Sequence, residues 1–160
     1  MEGHYGRLGK PAVAAVLAES DERTFLAGLG WVPESDDADT QFQLASVATA
    51  RRSLSGVDTD RAVVTVEDRI ASASAPGARG VAAYQDDWVG FRGIEVAPEH
   101  RRRGLARTVM AALLEWGAER GATTAYLQVL GHNAPALALY EAMGFTTHHA
   151  YAYLTPPPAG

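Results

Sequence analysis

The stretch EVAPEHRRRGLARTVMAALLEW, Glu95 to Trp116, constrains the fold more than any other part of this chain. An apolar run, Trp88 to Val96, ends just before Pro98. Leu105, Val109, Ala112, Leu113 and Trp116 then recur at helical spacing, and Gly121 follows as a helix stop. Ala125 to Leu130 is a second apolar run of strand length. Strand, helix, strand in that order is a βαβ unit, which implies parallel pairing and a right-handed crossover. The chain is therefore read as α/β.

Between the first strand and the helix stand three arginines and then Gly104-Leu105-Ala106. Small residues let the backbone approach a ligand, and the first N–H groups of a helix have no partner inside it. The helix dipole adds partial positive charge, and arginines reinforce it. The expected guest is a phosphate or pyrophosphate; the plain alternative is a solvated basic turn. Arg101-x-x-Gly104-x-Ala106 is neither the phosphate loop ending in Gly-Lys-Ser/Thr nor the Gly-x-Gly-x-x-Gly fingerprint.

Net charge decides how to read that cluster. At −5 over 160 residues, the chain is acidic, so three adjacent arginines suit a small anion better than a polynucleotide backbone. There is no cysteine, hence no disulfide, thiolate metal site or cysteine nucleophile. No apolar run approaches bilayer length, and the N-terminus lacks a signal-peptide pattern, so a cytoplasmic location with no membrane partner is expected. One domain with a real core suits this length.

Met1 to Lys10 has little pattern and is expected to be frayed. Pro11 to Ala27 reads as a helix stopped by Gly28 and Gly30, and Ser35 to Asp39 as an acidic loop. Gln41 to Val47 suggests a strand, and Ala48 to Leu54 one or two helical turns. Arg61 to Glu67 and Ile70 to Ala75 suit a hairpin, Pro76-Gly77 a loop, and Val81 to Tyr84 another strand. Gly90 and Gly93, within Trp88 to Val96, fit a bulge or a close approach by a ligand. Asn133 caps a helix over Ala134 to Met143, Gly144 ends it, and Thr146 to Leu154 is a last strand before a proline tail.

Two motifs in order, V-x-P-x-x-R-x-x-G-x-A at Val96 to Ala106 and N-x-x-A-x-x-L-Y-x-x-x-G-F at Asn133 to Phe145, carry a resemblance. Together they resemble the GNAT superfamily of acyl-CoA N-acyltransferases, over about Trp88 to Tyr153. YLQV, LALYEAMGF and the His/Tyr-rich strand look like its actinobacterial members. The resemblance implies a single α/β domain with a mixed, splayed sheet flanked by helices, and acetyl-CoA as co-substrate. It implies that the backbone of Ile94, Glu95 and Val96 meets the pantetheine amides. The N–H groups of Arg102, Arg103, Gly104, Leu105, Ala106 and Arg107 would hold the pyrophosphate. Asn133 would bond the cofactor arm or the helix start, and Tyr140 would present its phenol to the sulfur.

Acetyl transfer from a thioester to an amine needs a neutral amine, a stabilised oxyanion and a proton for the leaving thiolate. A phenol with pKa near ~10 is protonated at neutral pH and can donate. A backbone N–H, that of Val96, can steady the oxyanion. Without cysteine, direct attack is favoured over an acetyl-enzyme. Some relatives that acetylate protein N-termini carry a glutamate where this chain has Gln128. Glu95 is the remaining carboxylate candidate for the base, with a solvated strand charge or a water chain as alternatives. His148 and His149 suit a surface or a pocket wall better than a metal site, since no ligand partner stands at a convincing spacing.

Both ends depart from the family pattern. Only one strand follows Gly144-Phe145, where a hairpin is usual. Residues 1–47 are read as an N-terminal segment, 48–155 as the acetyltransferase domain and 156–160 as a tail. Phe25 to Ala45 faintly echoes Ala138 to Leu154, so strand Gln41 to Val47 is a candidate for the missing edge, within the chain or across a homodimer. The expected activity is N-acetylation of a small-molecule or peptide amine. A silent acyl-CoA-binding domain is the alternative, and nucleic-acid binding through the arginines the least favoured reading.

Overall fold

The computed structural model describes residues 12–35 and 39–158. The expected fraying of Met1 to Lys10 and the middle of the Ser35–Asp39 loop lie outside these residues. Among the described residues, nine strands form one sheet in the order β1-β9-β3-β8-β7-β6-β5-β4, with β2 (Val32–Pro33) also on β9. The strands are β1 Ala14–Leu17, β3 Thr40–Ser46, β4 Val63–Glu67, β5 Ile70–Ala75, β6 Ala78–Gln85, β7 Trp88–Val96, β8 Thr124–Leu130 and β9 Thr146–Thr155. The helices are α1 Asp21–Gly28, α2 Val47–Ser53, α3 Leu105–Glu119 and α4 Ala134–Ala142, with a short 3-10 turn at Pro98–His100.

The expected helix over Pro11 to Ala27 is corrected. Ala14 and Val16 alternate into the core as β1, paired antiparallel with β9. Helix α1 begins only at Asp21, where the Ser20 Oγ accepts from the Arg23 N–H at 3.2 Å. The Ser20-Asp21-Glu22 cap was the local signal for that start, and a period of two precedes it.

Helix α3 lies across β5, β6 and β7 and buries Val109, Met110, Leu113 and Leu114 completely. Burying side chains of this size stabilises by about 1.5–3 kcal/mol each. Helix α2 packs on α3 and β3, and Met143 and Phe145 behind α4 join the same core. A smaller cluster under α1 gathers Ala14, Val16, Leu26, Ala152 and Leu154.

Two features of the sheet create the site. Strand β7 pairs with β8 in parallel only from Trp88↔Thr124 to Phe91↔Leu127. Beyond this the two strands run on without pairing, so the sheet parts. On the other edge of β7, Arg92 faces Val81 and Glu95 faces Arg79, so two residues oppose Gly80 alone. That is a bulge at Gly93-Ile94. Gly93 has φ 60, and the bend turns β7 away from β8. Gly90 has a different reason to lack a side chain: the Tyr126 phenol from β8 lies where its Cβ would be. The guest anticipated there is a neighbouring side chain.

Strand β3 is interior. It pairs antiparallel with β8 at seven positions and with β9 at five, with a register shift at Phe42/Gln43. The expected edge placement is therefore corrected: β3 separates β8 from β9, and β1 forms the edge beyond them. A purely local pattern holds no record of which distant strands will flank it.

Candidate functional site

Where β7 and β8 part, a cleft of about 1280 Å³ opens. Its floor is the end of β7, its head the 98–107 turn, and one wall the start of α4. Ile94, Glu95, Val96, Arg102, Gly104, Leu105, Ala106, Arg107, Asn133 and Tyr140 all border it. Arg103 does not; its side chain is exposed beside the turn.

The turn is built to expose amides. Arg102 has φ 63 and Gly104 has φ 74, both left-handed, with Arg103 between them. Alternation of this kind turns successive N–H groups toward one point, an anion-binding nest. Gly104 caps α3 without a side-chain bond, and the first intrahelical bond is from Thr108 N–H to the Gly104 carbonyl. Six consecutive N–H groups, Arg102 to Arg107, consequently lack an acceptor among the described residues. A group with several anionic oxygens fits that donor set, so the residues present suit a diphosphate.

Backbone alternation also places a donor in the gap. Ala97 N–H points to β6, where it donates to the Gly77 carbonyl at 2.8 Å. The N–H of the preceding residue, Val96, points to the opposite edge, into the space that β8 has left.

Tyr140 sits at the end of the second turn of α4, 7% exposed, with its ring edge-on to Phe145 at 5.9 Å. Its hydroxyl has no hydrogen-bond partner among the described residues. Burial pushes this phenol above its ordinary value of 10.0, so it keeps its proton through neutral pH. Asn133 is committed to the helix start, its Oδ1 accepting from Ala136 N–H at 3.2 Å. Asn133 also borders the cleft.

Two charged side chains are engaged in ways the sequence did not reveal. The Glu95 carboxylate accepts from Arg79 Nε at 2.9 Å and Nη2 at 2.7 Å across the β6–β7 pair. Both lie on the sheet face away from the helices and are largely exposed. Arg107 donates to the Ser53 carbonyl at the end of α2, at 2.9 Å, so its guanidinium ties two helices together while its N–H stays in the nest. The sequence reading also missed the far wall, Ser74, Ala75 and Gly77 of the β5–β6 turn with His100. Pro76-Gly77 marked a turn, but its position over the nest follows from hairpin register.

The remaining sequence candidates lie on the uncovered sheet face. His149 stacks on Phe42, His148 is exposed, and their Nδ1 atoms are 2.9 Å apart. Tyr151 donates to Gln128 Oε1 at 2.8 Å. Its phenol is also raised, first by burial, then by the hydrogen bond and charge of Tyr153, with Thr40 opposing. Among the described residues no helix is long and apolar enough to cross a membrane.

A protein-family profile described as "Probable histone acetyltransferase Rv0428c C-terminal" matches residues 16–154. The "Probable histone acetyltransferase Rv0428c" of Mycobacterium tuberculosis is 40% identical over 74 residues, 46% of this chain and 24% of that protein. The "[Ribosomal protein bS18]-alanine N-acetyltransferase" of Escherichia coli K12 is 42% identical over 52 residues, 32% of this chain and 35% of that protein. The matches thus span about a quarter to a third of these relatives' own length. A solved structure described as "Tandem GNAT protein from the clavulanic acid biosynthesis pathway (without AcCoA)" superposes with TM-score 0.72 at 13% identity, covering 99% of this chain and 68% of that one. At that identity the likeness speaks for the fold alone.

Proposed function

Since this chain belongs to the Rv0428c C-terminal family of GNAT acyltransferases, we propose that it is an N-acetyltransferase moving an acetyl group from acetyl-CoA to a primary amine by direct attack. The observation that carries this reading is the run of six open N–H groups, Arg102 to Arg107, beside a gap in the sheet that ends under a buried tyrosine. Acetyl-CoA supplies an activated acyl carbon on a thioester.

The nest and the α3 N-terminus hold the diphosphate, with Arg102 and Arg101 adding charge at the rim. The unpaired edges of Ile94 and Val96 take the amide-bearing arm as an added strand. Val96 N–H donates to the acyl oxygen as charge develops on it. The amine nitrogen bonds the acyl carbon, the carbon–sulfur bond breaks, and Tyr140 gives its proton to the sulfur. The nitrogen sheds its proton to water, with Glu95 the one carboxylate bordering the cleft among the described residues. Its ion pair with Arg79 makes it a relay and not the principal base.

Calorimetric titration with CoA, followed by thiol release from acetyl-CoA across an amine panel, tests the proposal. Binding with amine-dependent release is expected. Binding without release from any amine returns the chain to a silent acyl-CoA-binding domain. Absence of binding heat from well-folded protein removes both readings.

A further inference from the structure

The helices cover one side of the sheet. On the opposite side, side chains of four adjacent strands form a row of rings. His149 of β9 stacks on Phe42 of β3 at 4.9 Å and 17°. Phe42 stacks on Tyr126 of β8 at 5.6 Å and 27°, and Tyr126 meets Trp88 of β7 at 5.8 Å. The row stands at the point where the sheet parts. Tyr126 belongs to the second-last parallel pair, opposite Gly90, and Gln128, the register partner of Phe42, is the next residue of β8 on that face. Parallel pairing ends one residue beyond Tyr126, at Phe91↔Leu127, so Gln128 stands where β8 has parted from β7.

Chemistry restricts what this face accepts. Glu95 and Asp39 are each closed into an ion pair, with Arg79 and Arg23, and Asp87, next to Trp88, accepts from the Thr123 hydroxyl at 3.2 Å. The exposed Arg92 of β7, on the same face as Trp88, repels an ammonium. Phe42 has both faces covered by its neighbours, so it turns its edge outward. Ring edges carry the positive lobes of the quadrupole: they disfavour cations and take the face of another ring in a T-shaped contact. Gln128 is held by the Tyr151 hydroxyl, and its Oε1 keeps a second lone pair for an N–H.

We propose that this uncovered face at the mouth of the gap is the acceptor side, and that it takes a neutral, flat aromatic amine, set against the ring row and oriented by the Gln128 amide that Tyr151 holds. The inference rests on the acyltransferase reading above. An aromatic amine reaches the gap uncharged and needs no carboxylate to deprotonate it beforehand. An alkyl amine is protonated at pH 7 like a lysine and must lose that proton before it can attack.

The test is thiol release from acetyl-CoA at pH 7 by the full chain, with aniline, benzylamine and butylamine as acceptors. Aniline should give the highest kcat/KM and the lowest KM, with benzylamine next. Phe42→Leu should raise KM for aniline about tenfold, the loss of one ring contact and part of its burial, with a clearly smaller change in KM for butylamine. Tyr151→Phe, which removes only the hydroxyl, should raise KM for aniline several-fold. Gln128→Glu should shift preference toward butylamine. Higher kcat/KM with butylamine overturns the inference and leaves the acyltransferase reading standing. An equal change in KM for all acceptors in Phe42→Leu also overturns it. Release with no amine at all removes that reading, and the inference with it.

Discussion

Tyr140→Phe separates chemistry from structure at the proposed acid. The substitution deletes one oxygen and keeps the ring, so the edge-on contact with Phe145 and the surrounding core remain. The hydroxyl has no protein partner among the described residues, so no buried acceptor is orphaned by its loss. The folding cost is therefore about 0.5 kcal/mol or less, within the range of substitutions away from critical features. A positioned acid contributes about 10²–10⁴ in rate, equivalent to about 2.7–5.4 kcal/mol of barrier. Thermal melting, calorimetry with CoA and thiol release measure the three quantities on one preparation. The expected result is an unchanged melting point, an unchanged CoA Kd and a kcat lower by two orders of magnitude or more. The pH dependence adds a sign. Burial raises the phenol above 10.0, so the native state holds this proton where the unfolded chain gives it up. Its contribution to stability is complete below pH 10 and is lost as pH rises through the folded value. Activity should accordingly show no alkaline decline from this group between pH 7 and 10. Parallel loss of melting point, CoA affinity and kcat would refute the argument and make Tyr140 a packing residue.

Three further outcomes follow from named contacts. Gly104→Val places a β-branched residue at φ 74, which costs about 1–2 kcal/mol and turns the nest amides apart; CoA affinity measured by calorimetry should fall tenfold or more, and an unchanged Kd would mean that the nest is not the anchor. Glu95→Gln should lower kcat/KM less than about tenfold, because the carboxylate is already clamped by Arg79; a hundredfold loss in thiol release would make it the principal base. Deleting Met1 to Val47 strips β8 and β9 of the strand they share, exposing two unpaired edges and the buried faces of Leu127 and Val129. Size-exclusion chromatography should then show aggregate, and a monodisperse, CoA-binding product would show β3 to be dispensable.

What the chain determined by itself is the local grammar. The period of α3, the Gly104 start and the Asn133 cap are written in consecutive residues, because helical periodicity and capping act over a few positions. The run of open amides follows from the same source, since a helix that begins on a left-handed glycine exposes its first N–H groups wherever it is placed. Side-chain commitments across the fold were decided elsewhere. Ser20 capped α1 in plain view, yet Ala14–Leu17 became a strand because β9 offered it an edge. Glu95 met Arg79 only because the β6–β7 register, shifted by the bulge at Gly93-Ile94, put them opposite each other. Arg107 turned to Ser53 because α2 packs on α3. The ring row needed β3 to settle between β8 and β9, joining Phe42 to His149 over more than a hundred residues. Pairing at that separation depends on which edges remain free when the sheet assembles, a property of the whole chain that no short window of sequence contains.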